Sequence, residues 1–280
     1  GSVFLINVPV VLLVWPLAWK LIPRCGGDNP RPADIVGSIQ IMIGLVGAIY
    51  ALKELSKPAP DVSALLAAAL IGILVLFVRR QQRSAHPMID FSLFRNRLFA
   101  GGIGVALLSM VALIGVELVL SQRLQLVLGL SPLQAALFIL PIPLASALAG
   151  PMAGLLLPRY GERSIILGGF ALTAVGIAAL ALLSQSGIAP QLVSLALVGF
   201  GLGGVITAAS TAIMLNAPEE KSGMAASIED VSYELGGVLG VTLLGGLMTA
   251  VYSHTLALPA ELPVSDLAYD SIDDALRLAA

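Results

Sequence analysis

Three acidic residues, Glu229, Asp230 and Glu234, lie close together in the segment ASIEDVSYELGG, whose other residues are mostly small or apolar. On an α-helix Asp230 and Glu234 would lie about 40° apart, and Glu229 about 100° from Asp230. Burial and mutual repulsion disfavour ionising all three carboxyl groups at once, so we expect at least one to hold a proton. A cation arriving beside them would favour the ionised form and expel that proton, which is the elementary step of an antiporter.

The acids share one sector of the predicted helix with small residues and a tyrosine, while aliphatic residues fill the opposite sector. We therefore expect the acids to face protein or a water-filled cavity and the aliphatic residues to face lipid. The alternative is a shallow position at the cytoplasmic end of the helix, where negative charge near an N-terminus is favourable. The first set is Ala226, Tyr233, Gly237 and Gly240, and the aliphatic set is Met224, Ile228, Leu235 and Leu239.

A fourth acid, Glu117, lies deep in the apolar segment VALLSMVALIGVELVLSQ. Ser121 and Gln125 continue its stripe at four-residue steps, and a polar stripe on a membrane helix predicts a lined path. The alternative is a single hydrogen bond between helices. Arg123 points to a different side of the same helix and is expected to extend toward the outer interface.

The composition places these acids in a membrane protein. Hydrophobic residues make up 58% of the 280, charged residues only 11%, and the mean hydropathy is +0.96. Soluble domains are typically about a quarter charged, so this chain is adapted to hydrocarbon. The net charge of −2 gives no basic footprint for nucleic acid, and the single Cys25 excludes an internal disulfide framework.

Apolar runs of about twenty residues, long enough to cross a ~30 Å hydrocarbon core, recur along the chain and end at charged residues, Pro, Gly or Asn. No alternating pattern of a membrane β-barrel is present. The sequence therefore predicts an all-α polytopic membrane protein with about eight transmembrane helices. Their approximate spans are 3–22, 34–55, 61–79, 98–127, 131–157, 163–184, 190–214 and 221–253.

The distribution of Lys and Arg predicts the orientation, because cytoplasmic loops hold the excess of these residues. Eleven of the fifteen fall in the loops after the first, third, fifth and seventh predicted helices. The first helix is thus expected to run inward and the eighth to end outside. The chain opens at Gly1 in an apolar run and closes at DSIDDALRLAA, where Ser271 and Asp274 have capping-box spacing. We expect both ends to be cut, so that the sequence is a fragment.

Four segments together carry a family resemblance: FLINVPV at 4–10, HPMIDFSLFRNRLF at 86–99, LQLVLGLSPLQAALFILP at 124–141 and PEEKSGMAASIEDVSYELGGVLGV at 218–241. They resemble the 14-helix drug:proton antiporters of the major facilitator superfamily, and most of all the quaternary-ammonium and methyl-viologen efflux pumps. The resemblance implies that the eight helices are the sixth to thirteenth of that family.

The resemblance also implies a division of the chain. Residues 1–33 would be the last helix of the N-terminal bundle with its cytoplasmic loop, and 34–97 a two-helix central insertion with a basic cytoplasmic loop. Residues 98–253 would be five helices of the C-terminal bundle, and 254–280 an extracytoplasmic loop leading to a missing last helix.

The function implied by the resemblance is proton-coupled efflux of lipophilic and cationic drugs across the inner membrane, without a cofactor. The membrane acids of the quaternary-ammonium pumps would map onto Glu117, Glu229, Asp230 and Glu234, the residues selected above on physical grounds. Two alternatives stay open: a non-transporting remnant of a split or truncated transporter gene, and another solute transporter or channel on the same scaffold.

The turn GLLLPRYGERS at 154–164 resembles the second-half copy of that family's cytoplasmic loop motif, through Gly154, Arg159, Gly161 and Arg163. In the family such turns lock the cytoplasmic side by contacts between helix ends, and Gly161 would allow the required backbone geometry. The alternative is an ordinary inside loop, which is short, basic and glycine-containing in any case.

Enzyme and nucleotide-binding functions find no support in the sequence. It has no H-E-x-x-H zinc motif and no P-loop, and neither His86 nor His254 has a metal partner at ligand spacing. Gly199, Gly201 and Gly204 fit G-x-G-x-x-G, but no strand precedes them. Glycines at this density in an apolar helix favour close helix packing instead.

Overall fold

The computed structural model describes residues 7–21, 34–54, 62–84 and 87–255, and every regular element in these ranges is a helix. Each of the eight predicted spans is helical over most of its described residues, so the all-α prediction is confirmed. Residues 254–255 end the last helix, and the rest of the predicted extracytoplasmic loop lies outside the described residues. The helices are α1 (Asn7–Leu21), α2 (Ile35–Glu54), α3 (Val62–Arg83), α4 (Arg97–Gln122), α5 (Pro132–Ile139), α6 (Pro141–Leu182), α7 (Ile188–Leu215) and α8 (Ser222–Thr255).

The chain divides into two compact units, Gly1–Ile35 and Val36–Ala280. The first contains α1, an apolar helix with Pro16 in its interior and Lys20 in its last turn.

Among the described residues, four helical stretches are long and apolar enough to cross a bilayer: Arg97–Val127, Pro132–Leu182, Ile188–Leu215 and Glu219–Tyr252. Shorter apolar helical stretches occupy Val11–Leu21 and Ile35–Ala51. A stretch of 51 residues would be roughly 75 Å long if straight, more than twice the hydrocarbon thickness. Pro132–Leu182 therefore has to be broken.

The break lies at Gly161, whose φ of 74° and ψ of 162° interrupt the helical backbone of α6. This region of backbone conformation is essentially restricted to glycine. Gly161 divides α6 into a first arm, residues 141–160, and a second arm, residues 162–182. The two predicted helices at 131–157 and 163–184 correspond to these arms.

Contacts with α7 show that the two arms run in opposite directions. Along α7, Gly199, Gly203 and Thr207 lie in turn against Ile142, Ser146 and Gly150 of the first arm. Val198, Gly201 and Val205 lie against Gly176, Thr173 and Gly169 of the second arm. Residue numbers rise together in the first set, so the first arm is parallel to α7. They change in opposite directions in the second set, so the second arm is antiparallel to α7, and the chain reverses at Gly161. The glycines of α7 thus serve helix packing, as the sequence indicated.

Helix α8 packs against α4 in the same manner. Gly236 lies against Leu107 and Met110, and Gly240 lies against Val111 and Gly115. The residue numbers rise together, so α4 and α8 are parallel. A buried cluster joins the start of both helices to the end of α7; it consists of Leu93, Phe99, Ile103, Ala106, Ala209, Ile213, Ala225 and Ile228.

These directions place the start of α4, the Gly161 turn and the start of α8 at one end of the bundle. Basic residues at the ends of these helices and at the turn lie there, and this end is called the basic end: Arg95, Arg97, Arg159, Arg163 and Lys221. Arg123 lies at the opposite end of α4, where its Nη2 donates a 3.3 Å hydrogen bond to the carbonyl of Ser184. This arrangement agrees with the predicted orientation, in which the loops rich in Lys and Arg lie on the cytoplasmic side. The basic end would then be the cytoplasmic end.

Three further features mark the ends of α4, α5 and α6. Pro141 and Pro143 have no N–H to donate, and the helix is interrupted at Leu140 between α5 and α6. Helix α5 begins with a capping box between Ser131 and Gln134. The C-terminus of α4 continues as a single π-helical turn, Arg123–Val127.

Candidate functional site

Glu229 is a buried carboxylate on α8, with only 6% of its surface exposed. It follows Ile228, which is in the buried cluster, and precedes Ser232, which is also buried. The Tyr233 hydroxyl, one turn further along the helix, donates a 2.8 Å hydrogen bond to Glu229 Oε1. In the part of the chain that the structure describes, this is the only hydrogen bond of the carboxylate, and no cation pairs with it.

The other two acids of the segment have different surroundings. Asp230 and Glu234 are exposed on α8, and neither forms an ion pair with a described residue. Glu234 and Tyr233 line a cavity of roughly 560 Å³, which we call the inner cavity. Ile49 of α2 and Met110 of α4 form part of its apolar wall.

The predicted orientation of α8 is wrong in part. Ile228 was expected to face lipid, but it is 7% exposed and packs with Phe99 and Ile103. The contact with α4 is fixed by Gly236 and Gly240, which allow close approach of the two backbones. Glu229 falls between Gly236 and Gly240 in angle around the helix, so it lies on that contact face. Ile228 lies to one side of the face, and Asp230 and Glu234 lie to the other.

Glu117 is half-buried on α4 and lines a second cavity of roughly 500 Å³, which we call the outer cavity. Ser121 and Gln125 line it too, and Gln125 Nε2 donates a 2.7 Å hydrogen bond to Ser121 Oγ. No hydrogen bond or ion pair joins the Glu117 carboxylate to another described side chain. The predicted polar stripe of Glu117, Ser121 and Gln125 therefore lines an open cavity. A hydrogen bond from Glu117 to another helix, which was the alternative, is not found among the described residues.

The cavities adjoin one another along the face shared by α4 and α8. A third, of roughly 470 Å³, extends from Ser121 and Gln125 toward the end of α8 at Tyr252. Val241 lines all three cavities, and Ile114 lines both the inner and the outer one. The three cavities thus form a series lined in part by polar side chains, which runs from Glu234 past Glu117, Ser121 and Gln125 to Tyr252 at the end opposite the basic end.

The acids lie at two levels of the bundle. Gly115 of α4 is opposite Gly240 and Leu244 of α8, so Glu117 is level with roughly residues 242–246. At 1.5 Å per residue, Glu117 is displaced along the helix axis from Glu234 by about 12–18 Å. Glu234 lies on the side of the basic end, and Glu117 on the side of the opposite end.

The predicted loop motif lies at the Gly161 turn. Arg159 and Arg163 are exposed, Gly154 is exposed on the first arm, and the Arg159 guanidinium lies 5.5 Å from the centre of the Tyr160 ring. The positive φ of Gly161 agrees with the expected backbone geometry. The locking contacts that the resemblance implies stay a prediction.

An ion pair at the basic end, between Lys221 and Asp90, was not predicted from the sequence. Lys221 Nζ lies 2.5 Å from Asp90 Oδ2, and the Asp90 N–H donates to the Met224 sulfur at 3.1 Å. Hydrogen bonds from Lys221 and then from Ser92 lower the pKa of the Asp90 carboxyl to about 2. The pair fastens the segment before α4 to the start of α8. No sequence signal joins residues 131 positions apart, although both lie in predicted inside loops.

Residues 1–241 match the Major Facilitator Superfamily, and together with the apolar helical bundle this match shows that the chain belongs to that superfamily. The superfamily consists of multi-pass membrane transporters and not of enzymes, and the apolar helices of the chain fit that class.

Curated relatives of the chain are named as resistance and efflux proteins. It is 38% identical over 284 residues to the methyl viologen resistance protein SmvA of Salmonella typhimurium, covering 100% of this chain and 57% of the relative. It is 35% identical over 285 residues to the multidrug efflux pump LfrA of Mycolicibacterium smegmatis, covering 100% and 56%. A drug efflux pump of Mycobacterium tuberculosis, JefA, is 32% identical over 89% of this chain and 50% of its own length. The chain spans about half the length of the curated relatives it matches.

Proposed function

We propose that the protein to which this chain belongs exports lipophilic and cationic compounds from the cell in exchange for protons. The observation that carries the proposal is Glu229, a carboxylate buried in an apolar helix whose partner is the neutral Tyr233 hydroxyl. An ionised acid in such a position costs about 2.5–3.5 kcal/mol on membrane-insertion scales. Binding either a proton or a cation offsets that cost, so the site favours the exchange of one for the other.

The two levels of acids suggest a division of roles. Protons from outside would reach Glu117 by way of Ser121 and Gln125, which line the outer cavity. A cation from the cytoplasm or the inner leaflet would meet Asp230 and Glu234, the exposed acids nearer the basic end. Competition between cation and proton for these carboxylates, including Glu229, would then couple the two movements.

The names of the relatives support export of cationic compounds over other transporter functions. One confers resistance to methyl viologen, which is an organic cation, and another is a multidrug efflux pump. We extend these activities to the present protein as part of the proposal, together with a bacterial inner-membrane location.

The Gly161 turn would act at the cytoplasmic side in this proposal. Arg159 and Arg163 are exposed on either side of the backbone reversal at Gly161, where they are available for contacts with other helix ends. Such contacts would stabilise the transporter with its cytoplasmic side closed, and their release would open it.

Ethidium extrusion from an efflux-deficient bacterium that expresses the complete gene tests the proposal. Extrusion should collapse on addition of a protonophore, and Asp230→Asn should abolish or narrow the range of exported cations. Extrusion that is indifferent to the protonophore would exclude proton coupling. Unchanged resistance of the Asp230→Asn variant to every cationic compound would remove Asp230 from the site.

A further inference from the structure

Three arginines in the last two turns of α3 line one shallow cavity of roughly 560 Å³, which we call the arginine cavity. None of the described residues that line it is acidic. We infer that it binds the headgroup of an anionic phospholipid, whose acyl chain lies along the exposed apolar surface of the same helix. The site is separate from the acids of α4 and α8 and would serve the protein whatever it transports. The lining residues are Leu76, Arg79, Arg80, Arg83 and Ser84.

The packing of α3 determines which of its faces is exposed. Leu70 and Leu74 lie against two glycines of α2. Phe77 and Gln81 continue this inward face and are only 1% and 2% exposed. The arginines and Leu76 occupy a sector of about 100°, whose centre is roughly 140° around the helix from the centre of the inward face. The arginine cavity therefore opens away from α2.

The charges of the arginine cavity are poorly offset by the described protein. Arg79 and Arg83 are exposed, and neither forms a hydrogen bond or an ion pair with a described residue. Arg80 Nη1 donates a 3.4 Å hydrogen bond to Gln40 Oε1, a neutral acceptor on α2. Guanidinium groups donate in pairs to the oxygens of a phosphate, so a phosphodiester would supply both the negative charge and the acceptors.

The surface next to the arginines is apolar and has room for a chain. Gly72 lies one turn before Leu76 on the same side of α3, and no atom comes within 4 Å of the position that a Cβ there would take. Leu76 and Val75 are 57% and 45% exposed. A ligand that places phosphate at the arginines and hydrocarbon along Gly72 and Leu76 is an amphiphile, which favours a phospholipid over a soluble phosphate.

The arginine cavity lies toward the basic end. The Met88 N–H donates a 2.7 Å hydrogen bond to Gln81 Oε1, which ties the end of α3 to the segment that carries Asp90 and Arg95. In the predicted orientation this is the cytoplasmic leaflet, where anionic lipids attract basic segments. The general excess of Lys and Arg on that side accounts for the number of arginines, but not for their convergence on one sector without an acid.

Binding of tritiated phosphatidylglycerol to the detergent-solubilised protein, expressed from its complete gene, tests the lipid site. Phosphatidylcholine with the same acyl chains is the reference, and the unmodified protein should bind phosphatidylglycerol at least tenfold more tightly. Each basic residue near an anionic lipid contributes about fivefold to binding, so Arg79→Gln and Arg83→Gln should each weaken phosphatidylglycerol binding by about that factor. Neither substitution should change the binding of phosphatidylcholine. Gly72→Leu, which fills the apolar surface, should weaken the binding of both lipids.

Arg95→Gln is the matched control, because it removes the same charge from an exposed position that does not line the arginine cavity. It should change phosphatidylglycerol binding less than twofold. Equal binding of the two lipids by the unmodified protein, or an equal loss in Arg95→Gln and Arg79→Gln, would overturn the inference. Displacement of the lipid by an equal concentration of glycerol phosphate would assign the cavity to a soluble anion and would also overturn it. If Arg79→Gln does not accumulate in the membrane, Arg83→Gln and Gly72→Leu decide the matter.

Discussion

Tyr233 and Glu229 form a hydrogen-bonded pair in which the tyrosine is accessible from the inner cavity and the carboxylate is not. The hydroxyl of Tyr233 donates to Oε1 of Glu229 across one turn of α8, at 2.8 Å. A ligand in the cavity can therefore reach the buried acid only by way of its neighbour on the helix. In the proposed exchange, a ligand in the inner cavity would act on the Glu229 carboxylate through Tyr233.

Glu229→Gln is expected to leave the fold intact. The amide oxygen can still accept the Tyr233 hydrogen bond, and the substitution removes a buried charge, so stability should be unchanged or slightly higher. Thermal unfolding of the purified protein in detergent measures this, with Asp230→Asn at the exposed neighbour as control. A large drop in the unfolding temperature for Glu229→Gln would mean that the carboxylate has a structural role.

Residues of the outer cavity should be reachable from the extracytoplasmic side. In a cysteine-free background, Ser121→Cys and Gln125→Cys should react with a membrane-impermeant maleimide added outside, because both line an open cavity. Leu195→Cys, at a position with no exposed surface, should not react. Labelling of position 125 from the cytoplasmic side alone would reverse the orientation proposed for the bundle.

Gly161→Ala should destabilise the protein by about 1–3 kcal/mol, because an alanine cannot adopt the φ of 74° and ψ of 162° without strain. No neighbouring atom would meet the added methyl group, so the effect isolates backbone conformation. Gly168→Ala on the helical second arm, where the added methyl group would also be free of contacts, is the matched control and should be neutral or slightly stabilising. Equal unfolding temperatures for the two variants would contradict this account of the turn.

The Asp90–Lys221 pair should contribute the same stability at pH 5 and pH 7. The pKa of Asp90 is lowered from 3.8 to about 2, so its contribution is complete above the ordinary value and is lost as the pH falls toward 2. A partly exposed pair is worth about 0.2–1 kcal/mol. Asp90→Asn and Lys221→Gln should therefore each lower the free energy of unfolding slightly, by the same amount at both pH values. A loss that is present at pH 7 and absent at pH 5 would contradict the assigned ionisation.

Much of the fold could be predicted from local properties of the sequence. Apolar run length located the long helices of the described chain, and the glycine in PRYGERS marked the reversal that the φ of Gly161 shows. These features depend on residues close together in the chain. The glycine stretch of α7 was likewise attributed to packing on composition alone, and its contacts with both arms of α6 agree with that interpretation.

The face of α8 that meets α4 could not be predicted correctly, because helix periodicity shows which residues share a face but not which partner covers it. Glycines 236 and 240 decide the contact, and they draw Ile228 and Glu229 inward while Asp230 and Glu234 stay exposed. The hydrogen bond between Tyr233 and Glu229 is an exception, since its four-residue spacing was visible in the sequence.

Proton movement measured in proteoliposomes containing the protein expressed from its complete gene tests the central claim most directly. With a pH-sensitive dye inside the vesicles, a gradient of ethidium should drive protons in the opposite direction, and Glu229→Gln should abolish the pH change while the protein remains folded. Ethidium movement without any proton movement in the unmodified protein, or proton exchange that Glu229→Gln leaves unaltered, would contradict the claim that the buried carboxylate exchanges protons for cations.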